Sequence, residues 1–322
     1  MNTAEPVREL TVVRAEPEAE GVLGITLADP GGGPLPEWTP GAHVDVELPS
    51  GLVRSYSLCG RPGDRDAYRI AVLRVADGRG GSEELHTTGL TGRRLTVRGP
   101  RNHFPLVPAS RYVFVAGGIG ITPVLPMLRE LSERPDAPAW SLLYGGRSLD
   151  TMAFRPELSA LRGGQVVLWP QDSHGLPDLD RALTGLPPGT AVYCCGPEGL
   201  LEAVRNHTDR LLPPGSLHLE RFHAPDRPDL PPTDGGFEVE LHRTGTTLHV
   251  PTDRTLLDVI RDAVPNVPSS CEQGLCGTCE TKVLAGTPDH RDMLLTDEER
   301  ETGTTMMICV GRSRSARLTL DL

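Results

Sequence analysis

Four cysteines carry the most specific chemistry in the sequence. Cys271-Glu-Gln-Gly-Leu-Cys276-Gly-Thr-Cys279 places three thiols within nine residues, and Cys309 follows thirty residues later. The gaps are those of plant-type [2Fe–2S] ligation, C-x4-C-x2-C…C. A two-iron cluster needs four thiolates, and three must come from one loop wrapped closely around it. Gly274 and Gly277 lie between ligands, where the backbone must turn tightly and a side chain would block the sulfurs. A disulfide pair or a zinc knuckle is the other use of such cysteines, but zinc sites usually combine C-x2-C units.

Other segments have residue types suited to flat or phosphorylated ligands. In Arg54-Ser55-Tyr56-Ser57 an aromatic followed by a hydroxyl residue could stack on a heterocycle and hydrogen-bond its edge; taken alone, the stretch reads first as a plain strand with Tyr56 packed outward. Asp77-Gly78-Arg79-Gly80-Gly81-Ser82 runs into a short helix, with Ser82 expected as N-cap. An Arg beside the backbone N–H groups of a helix start is a phosphate site, or else the stretch is a flexible turn. Gly117-Gly118-Ile119-Gly120-Ile121-Thr122-Pro123 follows an apolar strand and precedes a helix, the order in which a pyrophosphate is held. It departs from G-x-G-x-x-G because Pro123 stands where the third Gly would be. Thr122 is expected as N-cap of that helix and Pro123 at its first position. Tyr144-Gly-Gly-Arg147 and Cys195-Gly196-Pro197 end two further strands and should line the same crevice, with Cys195 otherwise a small core residue.

The elements that must position these residues fall into three blocks. Residues 1–107 read as an antiparallel β-barrel, with short runs at Leu10–Arg14, Gly24–Leu27, His43–Leu48, Arg69–Arg74 and Arg94–Arg98. His43–Leu48 alternates as a half-buried strand does. Residues 108–223 read as an α/β domain with a parallel sheet. Its strands are Arg111–Ala116, Trp140–Tyr144, Gln165–Trp169 and Ala191–Cys194, and its helices Glu157–Leu161, Leu179–Leu183 and Gly199–Leu211. Residues 224–236 hold four prolines, three Asp and two Gly, as a linker would. Residues 237–322 suggest a β-grasp module: a hairpin at Phe237–Arg243 and Thr246–Val250, a helix capped by Thr252 or Asp253, then strands at Glu280–Leu284, Met306–Val310 and Arg317–Leu320. This block has 14 Asp and Glu against 9 Lys and Arg, and Asp297–Glu301 forms an acidic surface run.

Composition narrows the function. The 322 residues carry a net charge of −11, which disfavours nucleic acid and anionic membranes as partners. There is no N-terminal apolar segment and no apolar run near 18 residues, so a cytoplasmic protein is expected. Seven cysteines in that setting point to metal ligation rather than disulfides, with Cys59, Cys194 and Cys195 outside the cluster set. Nicotinamide yields two electrons together, whereas a [2Fe–2S] centre accepts one. A flavin between them would resolve the mismatch.

With these motifs in this order, the whole chain resembles the phthalate dioxygenase reductase family, including vanillate demethylase reductases, within the ferredoxin–NADP reductase-like group. The resemblance implies FMN, NADH and one [2Fe–2S] cluster. It places Arg54, Ser55, Tyr56, Ser57, Val72, Leu73, Arg79, Gly81, Ser82, Thr122 and Phe222 around FMN, with Ser57 near flavin N5 and the aromatic of Glu220-Arg221-Phe222 covering the ring. Gly99–Phe104 would close the barrel. For the nicotinamide nucleotide it implies Gly118, Ile119, Gly120, Thr122, Pro123, Tyr144, Arg147, Cys195, Gly196 and Pro197. Cys271, Cys276, Cys279 and Cys309 would hold the cluster. No general acid or base is required, and no triad or carboxylate pair is evident. The implied partner is a separate terminal oxygenase, Rieske or cytochrome P450, served by a monomeric reductase. A cluster-bearing redox sensor and a flavin reductase releasing its flavin remain as alternatives, and an Arg147 near the ribose leaves room for NADPH.

Overall fold

The structure, a computed structural model, describes residues 6–76, 78, 80–87, 89–223 and 235–322. The chain divides into two compact units, Met1–Arg221 and Phe222–Leu322. The division falls just ahead of the Pro-rich 224–236 stretch, most of which lies outside the described residues.

The first unit begins with β1 (Val7–Ala19), β2 (Val22–Ala28), β3 (Ala42–Glu47), β4 (Val53–Ser57), β5 (Ala67–Leu73), α1 (Gly81–Thr87) and β6 (Arg94–Asn102). The six strands form one antiparallel sheet in the order β4-β3-β6-β1-β2-β5, and the two end strands contact each other, so the sheet curls into a barrel. Leu10, Ile25, Val44, Val46, Ile70 and Val97 fill its interior.

The alternation of β3 suggested a half-buried strand, yet both its faces are buried. Asp45 is fully enclosed because it has two partners. It accepts from Ser55 Oγ at 2.6 Å and from Arg101 Nη2 at 2.6 Å. A central strand can therefore carry a carboxylate inward when both neighbours answer it. The expected helix start at Ser82 is also corrected. Gly80, with φ +81°, turns the chain early, so α1 opens at Gly81. The Ser82 hydroxyl instead accepts from the Val75 N–H at 3.1 Å, closing the preceding loop.

A parallel sheet follows, ordered β11-β10-β7-β8-β9 from β7 (Arg111–Gly117), β8 (Ala139–Gly146), β9 (Gly164–Pro170), β10 (Thr190–Cys195) and β11 (Leu217–Glu220). Its helices are α2 (Ile121–Glu133), α3 (Arg155–Ala160), α4 (Gln171–His174), α5 (Leu179–Leu183) and α6 (Glu198–Leu211). A 3-10 turn, Gly118–Gly120, joins β7 to α2. Gly120, not Thr122, is the N-cap, and Thr122 lies inside the helix with its hydroxyl donating to Ile119 O at 2.9 Å. The backbone stays tightly coiled from Gly118 onward, so the helix starts before the β-hydroxyl residue. Val124, Leu125, Leu128 and Leu131 are buried as the periodicity suggested.

The two lobes of this unit share one core. Val22, Cys59, Ala71 and Phe104 from the barrel side pack in the same cluster as Phe114, Ile121, Leu125 and Leu128. The Gly99–Phe104 segment helps join them: Asn102 Nδ2 anchors it to the barrel, donating to Thr39 Oγ1 at 2.7 Å and Pro40 O at 2.9 Å, and buried Phe104 meets the Tyr193 ring of the parallel sheet edge-on, 5.3 Å between centres.

The second unit is a mixed sheet, β13-β12-β18-β14-β16, with one crossing helix. It comprises β12 (Phe237–Leu241), β13 (Thr246–Val250), α7 (Leu256–Ala263), β14 (Glu280–Ala285), β15 (Pro288–Asp289), α8 (Asp297–Thr302), β16 (Thr305–Met307), β17 (Arg312–Ser313) and β18 (Arg317–Leu320). β12 and β18 run parallel and the other pairs antiparallel. Thr255, rather than Thr252 or Asp253, caps α7 by accepting from Asp258 N at 3.0 Å. The strand expected at Met306–Val310 stops at Met307, which frees Cys309 to sit in the turn after it.

Replacing Asp45 by Ala removes from Arg101, whose side chain is 11 % exposed, the carboxylate it meets at 2.6 Å. Breaking one side of a buried ion pair costs up to about 3–5 kcal/mol, so D45A should lower the urea midpoint of the first unit measurably, by no more than the equivalent of that loss.

Candidate functional site

The cysteine loop runs between α7 and β14. Cys276, Cys279 and Cys309 are buried and Cys271 is half-buried. Backbone N–H groups converge on the sulfurs: Gln273 N and Leu275 N point at Cys271 Sγ at 3.3 and 3.4 Å, and Cys271 N at Cys276 Sγ at 3.5 Å. The Thr278 hydroxyl stands 3.1 Å from Cys276 Sγ. Such donors favour thiolates, the form that ligates iron. The four thiols form two pairs. A hydrogen bond with Cys276, outweighing burial, draws Cys271 down to about 6. A hydrogen bond with Cys279, reinforced by burial, pushes Cys309 up.

Among the described residues no three His, Cys, Asp or Glu side chains converge as a single-metal site requires. Two pairs are what a two-iron cluster needs, since each iron takes two protein thiolates. The donor set therefore fits the cluster. Gly274 and Gly277 have φ of +72° and +74°, as the tight turn demands. A Cβ at Gly274, however, would strike Val310 Cγ2 at 2.7 Å and Asp292 Cα at 2.9 Å, so neighbouring chain and not a sulfur forbids it. Glu272 takes φ +55° without being glycine, and its carboxylate is bonded by Arg261.

In the first unit, α1 is pressed onto β4. A Cβ at Gly81 would meet Arg54 Cγ and Nε at 3.0 Å, so the helix start and the Arg54 side chain are in contact. His86 Nε2 lies 2.9 Å from Val72 O and ties the same helix to β5. Arg54, Val72 and Gly81 thus come together from three elements. Ser57 is buried, Ser55 and Leu73 are half-buried, and Ser82 serves its own loop. Tyr56 is half-buried at the edge strand, and burial pushes its phenol well up, against the opposing pull of Arg54. Arg79 lies outside the described residues. Phe222 is the first residue of the second unit.

The glycines at the nucleotide turn serve two purposes. A Cβ at Gly120 would lie 2.2 Å from Cys195 O, and one at Gly196 would lie 3.0 Å from Gly117 Cα. These glycines let the ends of β7 and β10 touch backbone to backbone. Gly118 differs: it has φ +53° with nothing within 4 Å of a Cβ position, so conformation and not crowding selects glycine there. Ile119 and Gly118 are half-buried, and Arg147 and Pro197 are exposed along the same strand ends. Tyr144 and Cys195 are fully buried, and Thr122 and Pro123 are also buried. The Tyr144 and Cys195 side chains therefore belong to the floor of the sheet, not to the crevice they were expected to line. Above all, the Gly118–Gly120 turn contacts β5, the strand that carries Val72 and Leu73. The two sets of candidate residues meet.

Sequence reasoning named Cys195 and the Glu220-Arg221-Phe222 stretch but missed how they pair. Cys195 and Glu220 are paired across the parallel strands β10 and β11, and Cys195 Sγ donates to Glu220 Oε2 at 3.9 Å. Burial raises Glu220 to about 8, with the thiol hydrogen bond opposing, and burial likewise raises Cys195. Arg221 is held by Glu198, the first residue of α6, at 3.0–3.1 Å. Only the parallel register brings these residues together, so no local pattern announces them.

Comparison with known proteins places this geometry. The 2Fe-2S iron-sulfur cluster binding domain matches residues 239–313, which include all four cysteines, and the oxidoreductase NAD-binding domain matches residues 114–206. Phenoxybenzoate dioxygenase subunit beta of Ectopseudomonas oleovorans is 45% identical over 307 residues, covering 94% of each chain. The solved phthalate dioxygenase reductase, a modular structure for electron transfer from pyridine nucleotides to [2Fe-2S], is 39% identical, covers 98% of each chain and superposes with a TM-score of 0.71. The chain belongs to the phthalate dioxygenase reductase family. It is a multidomain oxidoreductase of that family, with NADH, FMN and a [2Fe–2S] cluster as cofactors and an oxygenase system as its setting. An intact type IV self-sufficient cytochrome P450 monooxygenase is also similar: 43% identity and a TM-score of 0.89 over 98% of this chain. The chain spans 41% of that longer protein.

The raised Glu220 makes a pH prediction. The folded chain holds this proton to higher pH than the unfolded chain. Its contribution to stability is full below about 4.5 and is lost as pH rises through about 8. Glu220→Gln has no proton to lose. Its melting temperature should therefore overtake that of the parent between pH 5 and pH 8; thermal melts at several pH values check whether the gap grows in that direction.

Proposed function

We propose that this reductase takes hydride from NADH at the junction of β5 with the Gly118–Gly120 turn and delivers electrons singly, through the cysteine loop, to a separate Rieske-type terminal oxygenase. The contact between β5 and that turn carries the reading, because a hydride donor and its acceptor must touch. FMN supplies the conversion of a two-electron donor to one-electron delivery. The chain's own residues do the holding. Arg54, Ser55, Tyr56, Ser57, Val72, Leu73, Arg79, Gly81 and Ser82 form the FMN set, with Thr122 and Phe222 completing it. The N–H groups opening α2 and the open Gly118 receive the pyrophosphate, and exposed Arg147 reaches the ribose side. Ile119, Gly120, Pro123, Gly196 and Pro197 shape the crevice above the Tyr144 and Cys195 floor. With Cys195 and Glu220 both protonated at neutral pH, that floor presents no negative charge to an anionic nucleotide. Cys271 with Cys276, and Cys279 with Cys309, hold the two irons.

The same reading divides the chain at 1–107, 108–223, 224–236 and 237–322, and makes it a cytoplasmic monomer without nucleic-acid or membrane partners. Among the described residues no helix is long and apolar enough to cross a membrane. A cytochrome P450 is the second candidate acceptor, favoured by the likeness to the self-sufficient cytochrome P450 monooxygenase.

Anaerobic NADH should bleach both the flavin and the cluster absorbance, with NADPH far slower. Cys276→Ser should keep the flavin bleaching and lose at least tenfold in cytochrome c reduction. If the parent protein's visible bands do not respond to either nucleotide, the proposal fails. Reconstitution with a Rieske oxygenase and a P450, side by side, decides the acceptor.

A further inference from the structure

A chain of alternating charges joins the two lobes of the first unit. Arg69, on β5, donates to Glu18 of β1 at 2.6 Å and to Glu157 of α3 at 2.7 Å. The other Glu157 oxygen is bonded by Arg129 of α2. Arg129 then turns to the barrel, donating from Nη1 to Cys59 O and Gly60 O, both at 2.6 Å. Cys59 is itself fixed to β5, its N–H donating to Arg69 O at 2.8 Å. Arg69 also lies over the Phe154 ring, 4.9 Å from its centre.

The placement of these residues gives the network its meaning. Cys59 and Gly60 directly follow Ser57-Leu58 at the end of β4. Arg69 lies three residues before Val72 on β5. Arg129 is on α2, the helix whose first turn follows Gly118–Gly120. The network therefore grips the flavin-side strands with one hand and the nucleotide-side helix with the other. Arg129 is buried and meets three acceptors with one planar guanidinium, which fixes both direction and distance. A neighbouring pair across the same junction, Arg61 with Glu133 at 3.3 Å, is exposed and has none of this geometry.

We propose that Arg129, Glu157 and Arg69 are positioning residues for hydride transfer. They set the spacing of the nucleotide turn against the flavin edge without touching either ligand. This rests on the reading of β5 and the Gly118–Gly120 turn as the reaction site. In the step they serve, the C–H bond of reduced nicotinamide breaks and an N–H bond of the flavin forms. The electron pair travels with the hydrogen, the nicotinamide is oxidised and the flavin reduced. Transfer of that kind falls steeply with small misplacement.

The test uses the holoprotein and four chains: the parent, Glu157→Gln, Arg129→Lys and, as control, Arg61→Ala. Anaerobic rapid mixing with NADH and with 4-deuterated NADH gives the limiting rate of flavin reduction, the Kd for NADH and the isotope effect. FMN affinity, from fluorescence, and melting temperature are read alongside. E157Q and R129K should each lose at least tenfold in the limiting rate and show a larger isotope effect. Their Kd values for NADH and FMN should stay within about threefold of the parent, and R61A should match the parent within twofold. A lowered melting temperature with the limiting rate within twofold in both network variants would make the network a structural fastener only. An equal loss in R61A would show that any junction contact suffices, and would also overturn the proposal. A parent flavin that NADH does not reduce would instead strike at the reaction site itself, an outcome separate from either.

Discussion

Hydride transfer demands contact between donor and acceptor, and the proposed function makes that demand the governing constraint on the first unit. The barrel and the parallel sheet are different architectures, each able to bury a core of its own, yet they share a core through Cys59, Ala71, Phe114 and Leu125. The end of β5 and the Gly118–Gly120 turn meet as a result. Moving one electron at a time sets no such condition, and the cysteine loop belongs to the other compact unit. On the proposed function, the division of the chain follows the division of the chemistry.

Charge inside this molecule is paired or neutralised according to its place. Asp45 faces Arg101 and Ser55 within the barrel, and Glu157 faces two arginines at the lobe junction. There, burial would raise the Glu157 carboxyl, but the hydrogen bond from Arg69 and the charge of Arg129 outweigh it and hold it low. Glu220 has the Cys195 thiol as its hydrogen-bond partner among the described residues, and burial prevails. Two carboxyl groups in one unit are thus shifted in opposite directions, for reasons visible in their neighbours.

Glycine illustrates how far a motif can be read. The run Gly117–Gly120 suggested a phosphate cradle, and Gly118 has the open, left-handed geometry for one. Gly120 and, across from it, Gly196 are instead required because β7 and β10 approach backbone to backbone. The same substitution test at Gly274 points to Val310 and Asp292 rather than to the sulfurs. Spacing in sequence identified where glycine was needed, but not what each glycine avoids.

The sequence alone determined what is local: three cysteines within nine residues, the strand–glycine–helix order, the block of short strands and the acidic surface helix. Each is encoded by neighbours along the chain, so spacing and periodicity suffice to read it. Helix starts slipped at Ser82 and Thr122, because the left-handed Gly80 and the tightly coiled Gly118–Gly120 decide where coiling begins, and the third helix begins after Thr255 rather than Thr252 or Asp253. What only the tertiary structure decided is long in sequence separation: Asp45 with Arg101, Cys195 with Glu220, and Arg129 with Cys59 and Glu157. A charged residue reads as surface in any linear pattern. Whether it is buried depends on a partner that strand register and lobe packing alone can supply.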